Sequence, residues 1–119
     1  PAQVRGQIDG GVAMGVGFAL TENFHVAEGV MTNPSLRNYR IPTYADVPRT
    51  ELLLVHSSDS VGPMKSKGIA ECCINPVAPA LANAVENATG VRFRDLPLTP
   101  ERIYDRLPAY LPPSGSAAV

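Results

Sequence analysis

The stretch "VRGQIDGGVAMGVGFAL" (residues 4–20) carries the pattern that most constrains the fold. Apolar residues recur at every fourth position, which is the stripe of an amphipathic helix. These residues are Val4, Ile8, Val12, Val16 and Leu20. Five glycines interrupt the stripe, and at about 1 kcal/mol each relative to alanine they cost about 5 kcal/mol in a helix interior. Because an isolated surface helix does not tolerate that cost, we expect either a helix packed closely against another element or backbone that lines a ligand.

A second helix is predicted over "NPVAPALANAVENATG" (residues 75–90), where apolar residues again follow helical spacing. Asn75 is a suitable N-cap, and Pro76 suits the first helical position, where a missing N–H costs nothing. Gly90 is the expected stop. Because Pro79 falls near the end of the first turn, a start a few residues later is also compatible with the pattern.

A third, short helix is predicted over "LTPERIYDRL" (residues 98–107). Thr99 is the expected N-cap, Pro100 suits the first helical position, and Glu101 interacts favourably with the positive end of the helix dipole. The residues that follow, 108–119, are rich in proline, serine and small side chains. We expect this tail to be disordered or wrapped on a partner.

Two strand candidates lie between the first two helices, at residues 37–41 and 51–56. A turn rich in proline joins them. The run at residues 52–55 is apolar on both faces, so we expect it inside a sheet. The expected fold class is therefore α+β, with a glycine-rich helix, a small antiparallel or mixed sheet and two C-terminal helices.

The composition excludes several classes of partner. The 119 residues suit one domain, and ten basic against eleven acidic side chains give a net charge of -1. Such a balance offers no basic patch for nucleic acid or an anionic membrane. The longest uncharged stretch, residues 10–21, is too short to cross a bilayer and follows no basic leader. We expect a cytoplasmic protein with no nucleic-acid partner and no membrane insertion and, since it starts at Pro1, a piece of a longer chain.

The residues that usually bind metals are sparse. Cys72 and Cys73 are adjacent, which prevents an ordinary loop-closing disulfide and supplies too few thiolates for zinc or an iron–sulfur cluster. His25 and His56 have no second ligand at suitable spacing, so each is expected to be structural or on the surface. No metal ligand is therefore predicted on this chain.

One acid stands out in "GPMKSKGIAECCINP" (residues 62–76). Glu71 follows a lysine-containing turn and is flanked by apolar residues, an unusual setting for a solvated carboxylate. Burial raises the pKa of a carboxyl group and nearby lysines lower it, and such opposed effects tune a general base. The residues alone leave two interpretations open, an ordinary surface acid and a general base.

Five blocks of sequence follow one another in chain order: "RGQIDGGVAMGVGFALTE" (5–22), "LRNYRIPTYADVP" (36–48), "GPMKSKGIAE" (62–71), "NPVAPALANAVENATGVRFRDLP" (75–97) and "LTPERI" (98–103). Together they resemble the C-terminal end of the molybdenum-binding subunit of the xanthine dehydrogenase and aldehyde oxidase family, the molybdenum hydroxylases. The resemblance implies that residues 1–107 form the C-terminal segment of a molybdenum-cofactor-binding domain, with the 108–119 tail outside it.

The resemblance also implies roles for individual residues. Glu71 matches the family's catalytic base, which takes a proton while oxygen derived from water attacks an electron-poor substrate carbon. Gln7 matches the glutamine whose side-chain amide contacts the pterin cofactor, and Lys67 and Gly68 match the turn beside that cofactor. Ala70 departs from the pattern, since glycine usually precedes the catalytic acid, and its methyl group is absorbed only where the backbone φ is negative.

Cofactors and partners follow from the same resemblance. We expect a molybdopterin cofactor bound partly by this chain, and 2Fe-2S and FAD groups on partner domains or subunits. The expected partners are the remainder of the molybdenum subunit, the iron–sulfur and flavin subunits or domains, and a small-molecule substrate. The implied reaction is hydroxylation of an N-heteroaromatic or aldehyde substrate with water as the oxygen source, and this chain alone is expected to be inactive.

Further departures limit what the resemblance implies. Where proline or alanine commonly follows the catalytic acid this chain has Cys72, and where the animal xanthine enzymes have glutamine it has Met14, so a purine preference does not carry over. Ala70 and the adjacent cysteines leave open a second function, a non-catalytic assembly module that keeps the fold and an interface but no chemistry. Retention of Gln7 and Glu71 favours the enzyme.

Overall fold

The computed structural model describes residues 1–56 and 61–107. The helices and strands are, in chain order, α1 (Ala2–Val16), β1 (Val26–Ala27), β2 (Val30–Met31), α2 (Val77–Thr89) and α3 (Pro100–Arg106). A π-helical turn (Gly17–Thr21) continues α1, and a 3-10 turn (Pro63–Lys65) precedes α2. Within the described ranges, no helix combines the length and the apolar character that crossing a membrane requires. The prediction about residues 108–119 lies outside the described residues.

Helix α1 runs without interruption through the glycine-rich stretch and packs closely against the start of α2. A Cβ added to Gly15 would lie 2.6 Å from the Cβ of Val77. A Cβ added to Gly11 would lie 3.1 Å from the Cβ of Cys73. Contacts this short leave no space for a side chain, so these two glycines allow the helix to approach its neighbours. The predicted helix is therefore confirmed, and close packing explains part of its glycine content.

The buried core lies where α1 ends and the chain returns after α2. Its apolar members are Val16, Ala19, Phe93 and Leu98. The backbone N–H of Leu98 donates to the carbonyl of Ala19 at 2.6 Å. The guanidinium of Arg106 lies over the ring of Phe93 at 5.1 Å, a cation–π contact that ties α3 to this core.

The small sheet of the expected fold class is present, but it is formed by β1 and β2 and not by the residues predicted to form strands. Strands β1 and β2 pair antiparallel with Val26 opposite Met31. The connecting residues Glu28 and Gly29 both have positive φ, 50° and 79°, as a two-residue type I′ hairpin turn requires.

The prediction of two strands, at residues 37–41 and 51–56, is wrong. The first region is a turn in which the backbone N–H of Tyr39 donates to the carbonyl of Ser35 at 2.8 Å. The second lies outside regular secondary structure, and Leu53 is 90% exposed rather than inside a sheet. A strand needs a neighbour to complete its backbone hydrogen bonds, and the sheet found in residues 1–56 and 61–107 consists of β1 and β2 alone.

The two C-terminal helices are confirmed, with one correction. Helix α2 begins at Val77 with Pro76 in the N-cap position, so the predicted cap Asn75 lies one residue too early. Gly90 ends α2 in the left-handed conformation at φ 73°, and its N–H donates to the carbonyl of Glu86 at 2.7 Å.

Helix α3 begins as predicted. The hydroxyl of Thr99 accepts a hydrogen bond from the backbone N–H of Arg102 at 3.3 Å, and Pro100 is the first helical residue. The guanidinium of Arg102 in turn donates to the carbonyl of Leu96 at 2.8 Å. The helix is thereby attached to the segment that leads back to the core.

Candidate functional site

Glu71 lies in a series of tight turns directly before α2. The backbone N–H of Ile74 donates to the carbonyl of Glu71 at 3.0 Å, and that of Val77 donates to the carbonyl of Ile74 at 3.1 Å. The turns therefore pass into the helix without an intervening loop. Because α2 packs against α1, the backbone of Glu71 is held at a defined place beside α1.

Gln7 faces this turn from α1. Its side-chain Nε2 donates to the carbonyl of Ala70 at 3.2 Å. Gln7 and Glu71 consequently border one cleft of about 170 Å³. The residues around this cleft are Gly6, Gln7, Gly10, Gly11, Met14, Ala70, Glu71 and Ile74. The structure thus brings together two predicted site residues that are far apart in the sequence.

One wall of the cleft is bare helix backbone. A Cβ added to Gly6 or Gly10 would meet no atom within 4 Å, so packing within the described chain does not require glycine at either position. The missing side chains leave the backbone of α1 accessible beside Gln7. Close packing thus accounts for Gly11 and Gly15, and the expectation that part of this backbone lines a ligand stays a prediction for Gly6 and Gly10.

The polar groups of the cleft suit an organic molecule. The amide of Gln7 can both donate and accept hydrogen bonds, and the carboxylate of Glu71 can accept them. Among the residues that the structure describes, no group of three or more His, Cys, Asp or Glu side chains is arranged to hold a metal ion. At about 170 Å³ the cleft is smaller than the roughly 300–1,000 Å³ of typical ligand pockets. By itself, the cleft therefore encloses too little space for a drug-sized or cofactor-sized molecule.

Lys67 and Gly68 precede the turn and do not line the cleft. Lys67 is exposed. A Cβ added to Gly68 would meet no atom within 4 Å. The role implied for this pair, a turn beside the cofactor, stays a prediction.

The surroundings of Glu71 are more open than its apolar neighbours indicate. Glu71 and Ala70 are both exposed, and Ile69 is 37% exposed. Apolar neighbours in the sequence therefore do not shield the carboxylate within the described chain.

Ala70 causes no backbone strain at the site. The non-glycine residues with positive φ in the described ranges are Glu28, Met64 and Lys65. Since Ala70 is not among them, its methyl group is absorbed without the penalty that a left-handed conformation would impose. The group that accepts the Gln7 hydrogen bond at this position is the backbone carbonyl, which glycine and alanine share.

Sequence reasoning missed one contact at the site, that of Cys73. Its Sγ lies 3.8 Å from the backbone carbonyl of Gln7 and 3.7 Å from that of Ala70. The two adjacent cysteines differ in exposure, because Cys73 is partly buried and Cys72 is exposed. Spacing alone could not show which glycine of α1 would receive the Cys73 side chain.

Residues 1–48 match a family model described as a molybdopterin cofactor-binding domain. The chain is 40% identical over 111 residues to the aldehyde oxidoreductase molybdenum-binding subunit PaoC of Escherichia coli K12, which covers 91% of this chain and 15% of that protein. It is 41% identical over 107 residues to a xanthine dehydrogenase molybdenum-binding subunit of Escherichia coli O157:H7, covering 88% of this chain and 14% of that protein.

A solved structure with a similar fold is quinoline 2-oxidoreductase from Pseudomonas putida 86. It superposes with a TM-score of 0.82 at 30% identity and covers 91% of this chain and 15% of that chain. The chain spans about 15% of the length of the relatives that it matches. The similarity therefore concerns one segment of much longer proteins.

Proposed function

We propose that this chain contributes one wall of the active site in a complete molybdenum subunit. The chain belongs to the xanthine dehydrogenase and aldehyde oxidase family of molybdenum hydroxylases. The proposed reaction is hydroxylation of an N-heteroaromatic or aldehyde substrate with water as the oxygen source. The names of its relatives support both substrate classes. The observation that carries the proposal is the meeting of Gln7 and Glu71 at one cleft.

The cleft is proposed to bind one edge of a molybdopterin cofactor. The Gln7 amide would hold a polar edge of the pterin, and the bare backbone at Gly6 and Gly10 would let a planar ring system approach α1. The chemistry supplied by a bound molybdenum cofactor is oxygen transfer to the substrate with its two-electron oxidation. Lys67 and Gly68 are proposed to border the same cofactor from the segment before the turn.

Glu71 would act as the general base. Its carboxylate opens onto the cleft and can take a proton at a carboxylate oxygen as the new C–O bond forms on the substrate. A general base of this kind typically contributes about 10²–10⁴-fold to the rate. The turn into α2 would keep that oxygen in place relative to the Gln7 amide.

The remainder of the molybdenum subunit is proposed to close the site. An apolar groove of about 610 Å³ lies between α1 and α2, with Ile8, Val12 and Leu81 among its walls. Open apolar surfaces of this kind are usually covered by another segment or chain. Coverage by the rest of the subunit would exclude water and surround Glu71, so this segment alone is expected to be inactive.

Electrons would leave through partners. We propose that 2Fe-2S and FAD groups lie on other subunits or domains of the complete enzyme, because this chain offers only two adjacent cysteines.

A cytoplasmic location is proposed for the complete enzyme, and fractionation of cells that express it would test that location.

The test is the substitution Glu71→Gln in the complete enzyme, assayed against a panel of N-heteroaromatics and aldehydes. Molybdenum content is measured first. At unchanged metal content we expect kcat to fall by about 10²–10⁴-fold, since glutamine keeps the size but cannot take the proton. The member of the panel that the wild-type enzyme oxidises fastest identifies the substrate class.

The matched control is Glu28→Gln, which alters an exposed acid in the hairpin turn. It should leave kcat unchanged. Full activity of the Glu71→Gln enzyme would refute the proposed base. A complete wild-type enzyme that binds no molybdenum would instead favour the alternative of a non-catalytic assembly module.

A further inference from the structure

The turn that carries Glu71 is fastened to α1 by hydrogen bonds in both directions. The Gln7 side chain donates to the carbonyl of Ala70 at 3.2 Å. In return, the single S–H proton of Cys73 is shared between two acceptors, the backbone carbonyl of Gln7 at 3.8 Å from Sγ and that of Ala70 at 3.7 Å. Glu71 lies between the two attached residues, so a shift of Cys73 displaces Glu71 relative to Gln7.

The Cys73 side chain fits against α1 because residue 11 is glycine. A Cβ at Gly11 would lie 3.1 Å from the Cβ of Cys73 and 3.2 Å from its Sγ. Both distances are shorter than comfortable carbon–carbon or carbon–sulfur contacts, which begin near about 3.5 Å. A side chain at position 11 would therefore push the turn away from the helix.

The thiol is suited to donate a hydrogen bond. Partial burial and then the neighbouring Cys72 raise the pKa of the Cys73 thiol. Near neutral pH it consequently stays protonated, whereas a thiolate would have no proton to offer to the two carbonyl oxygens. Cys72 is exposed and provides a matched residue one position away.

We propose that Cys73 is a positioning residue for the Glu71 carboxylate: seated against Gly11 and bonded to two backbone carbonyls, it sets the distance between Glu71 and the Gln7 amide. This inference rests on the proposed function, because it assumes that Glu71 is the base. It concerns the chain's own contacts and requires no further group.

The first experiment compares Cys73→Ala, Cys73→Ser and Cys72→Ala in the complete enzyme. For Cys73→Ala we expect kcat to fall about 10-fold, with KM within about twofold and molybdenum content unchanged. Misplacement of a catalytic group by about 1 Å can lower the rate about 100-fold, and a smaller displacement of Glu71 should cost less. Cys73→Ser keeps a small donor and should recover part of the loss. Cys72→Ala should match the wild-type enzyme.

A pH profile separates positioning from a general structural effect. The acidic limb of kcat/KM reports the pKa of the base in the free enzyme. It should shift in Cys73→Ala, where the carboxylate has moved, and stay in place in Cys72→Ala. A loss of kcat that only follows a loss of bound molybdenum would overturn the proposal.

A second readout does not depend on activity. Alkylation by iodoacetamide, followed by peptide mass spectrometry, compares the accessibility of the Cys73 thiol between the wild-type protein and its variants. The Gly11→Ala substitution should raise the rate at Cys73 several-fold by expelling its side chain, and Gln7→Ala should raise it by releasing Ala70. The control Glu28→Gln, in the hairpin turn, should leave it unchanged. Equal rates at Cys73 in all these proteins would overturn the inference.

The two hypotheses can fail separately. If Glu71→Gln is fully active, the proposed function is wrong and so is the role of Cys73. If Glu71→Gln is inactive while Cys73→Ala has wild-type kcat and pH profile, the proposed function stands and only the positioning role is refuted.

Discussion

Two regions of this molecule, the α1–α2 pair and residues 48–56, contain similar apolar residues but use them differently. In the helix pair, small residues let backbones approach until Gly15 has no space for a side chain beside Val77. In residues 48–56, Leu53 is 90% exposed and Val55 85% exposed. The first region makes its closest contacts within this chain, whereas the second presents apolar side chains that the described residues do not cover.

The difference shows where the chain depends on the rest of a longer protein. Packing of α1 on the turn and α2 is sufficient to bring Gln7 and Glu71 to one cleft. An extended apolar segment gains stability only when a neighbour pairs its backbone and covers its side chains. The position of the site is therefore set locally, and its closure is expected to come from outside this segment.

The strongest test of the helix pair is Gly15→Ala. The new Cβ would lie 2.6 Å from the Cβ of Val77, so the helices must separate, and we expect a loss of about 3 kcal/mol, the upper end of typical overpacking costs. Thermal or denaturant unfolding of the complete molybdenum subunit measures it.

The control is Gly10→Ala in the same helix. In the cofactor-free subunit its Cβ would meet no atom of the described residues within 4 Å, so the substitution should stabilise that form by about 0.4–1 kcal/mol through the lower entropy of the unfolded chain. If Gly15→Ala were as well tolerated as Gly10→Ala, the close packing described for the pair would be contradicted.

A smaller effect is expected in the second region. Leu53→Ser in the complete subunit should lower the free energy of unfolding by about 1 kcal/mol, the usual size for a substitution that exposes a contact. The reason is that the remainder of the subunit would cover Leu53. Leu53→Met, which conserves volume, should have little effect, and no change in Leu53→Ser would mean that the segment stays exposed in the complete protein.

The helices were predictable because their signals are local. Thr99 and Pro100 precede α3, and Gly90 takes the left-handed conformation that ends α2. The sheet was not predictable in the same way. Its strands are two residues long, and the decisive signal is the pair Glu28 and Gly29 at the turn.

The false strand at residues 51–56 has a different cause. An apolar run has the same sequence pattern whether or not its partner strand belongs to the same segment. Leu53 and its neighbours satisfy that pattern, but the described residues contain no strand beside them. Periodicity predicts what a segment can form, and the partner decides whether it forms.

The candidate site, too, was only partly predictable from the sequence. Gln7 and Glu71 were identified by resemblance, and the structure adds that they share a cleft. The Cys73 contact with Gly11 was not foreseen. It joins two elements that are distant in the sequence, and no spacing within either of them encodes it.

The smallest expected effect concerns a turn just before the second region that is stabilised locally. The carboxylate of Asp46 accepts hydrogen bonds from the hydroxyl of Thr43 at 2.7 Å and from its backbone N–H at 2.8 Å. The Thr43 hydroxyl, then its N–H, lower the pKa of Asp46. A lowered pKa adds stability above the value in the unfolded chain, about 3.9, and this stability is lost as the pH falls through the folded value.

Thr43→Val removes the hydroxyl donor and keeps the backbone one. Its destabilisation should therefore be largest near neutral pH and shrink as Asp46 becomes protonated in acid. Unfolding of the complete subunit at several pH values between 3 and 7 measures the difference. Thr32→Val removes a hydroxyl that donates to the backbone carbonyl of His25 at 3.3 Å, so its cost should not vary with protonation of a carboxylate. A pH-independent cost for Thr43→Val would mean that this turn is not maintained by its own hydrogen bonds and, like Leu53, depends on a neighbour.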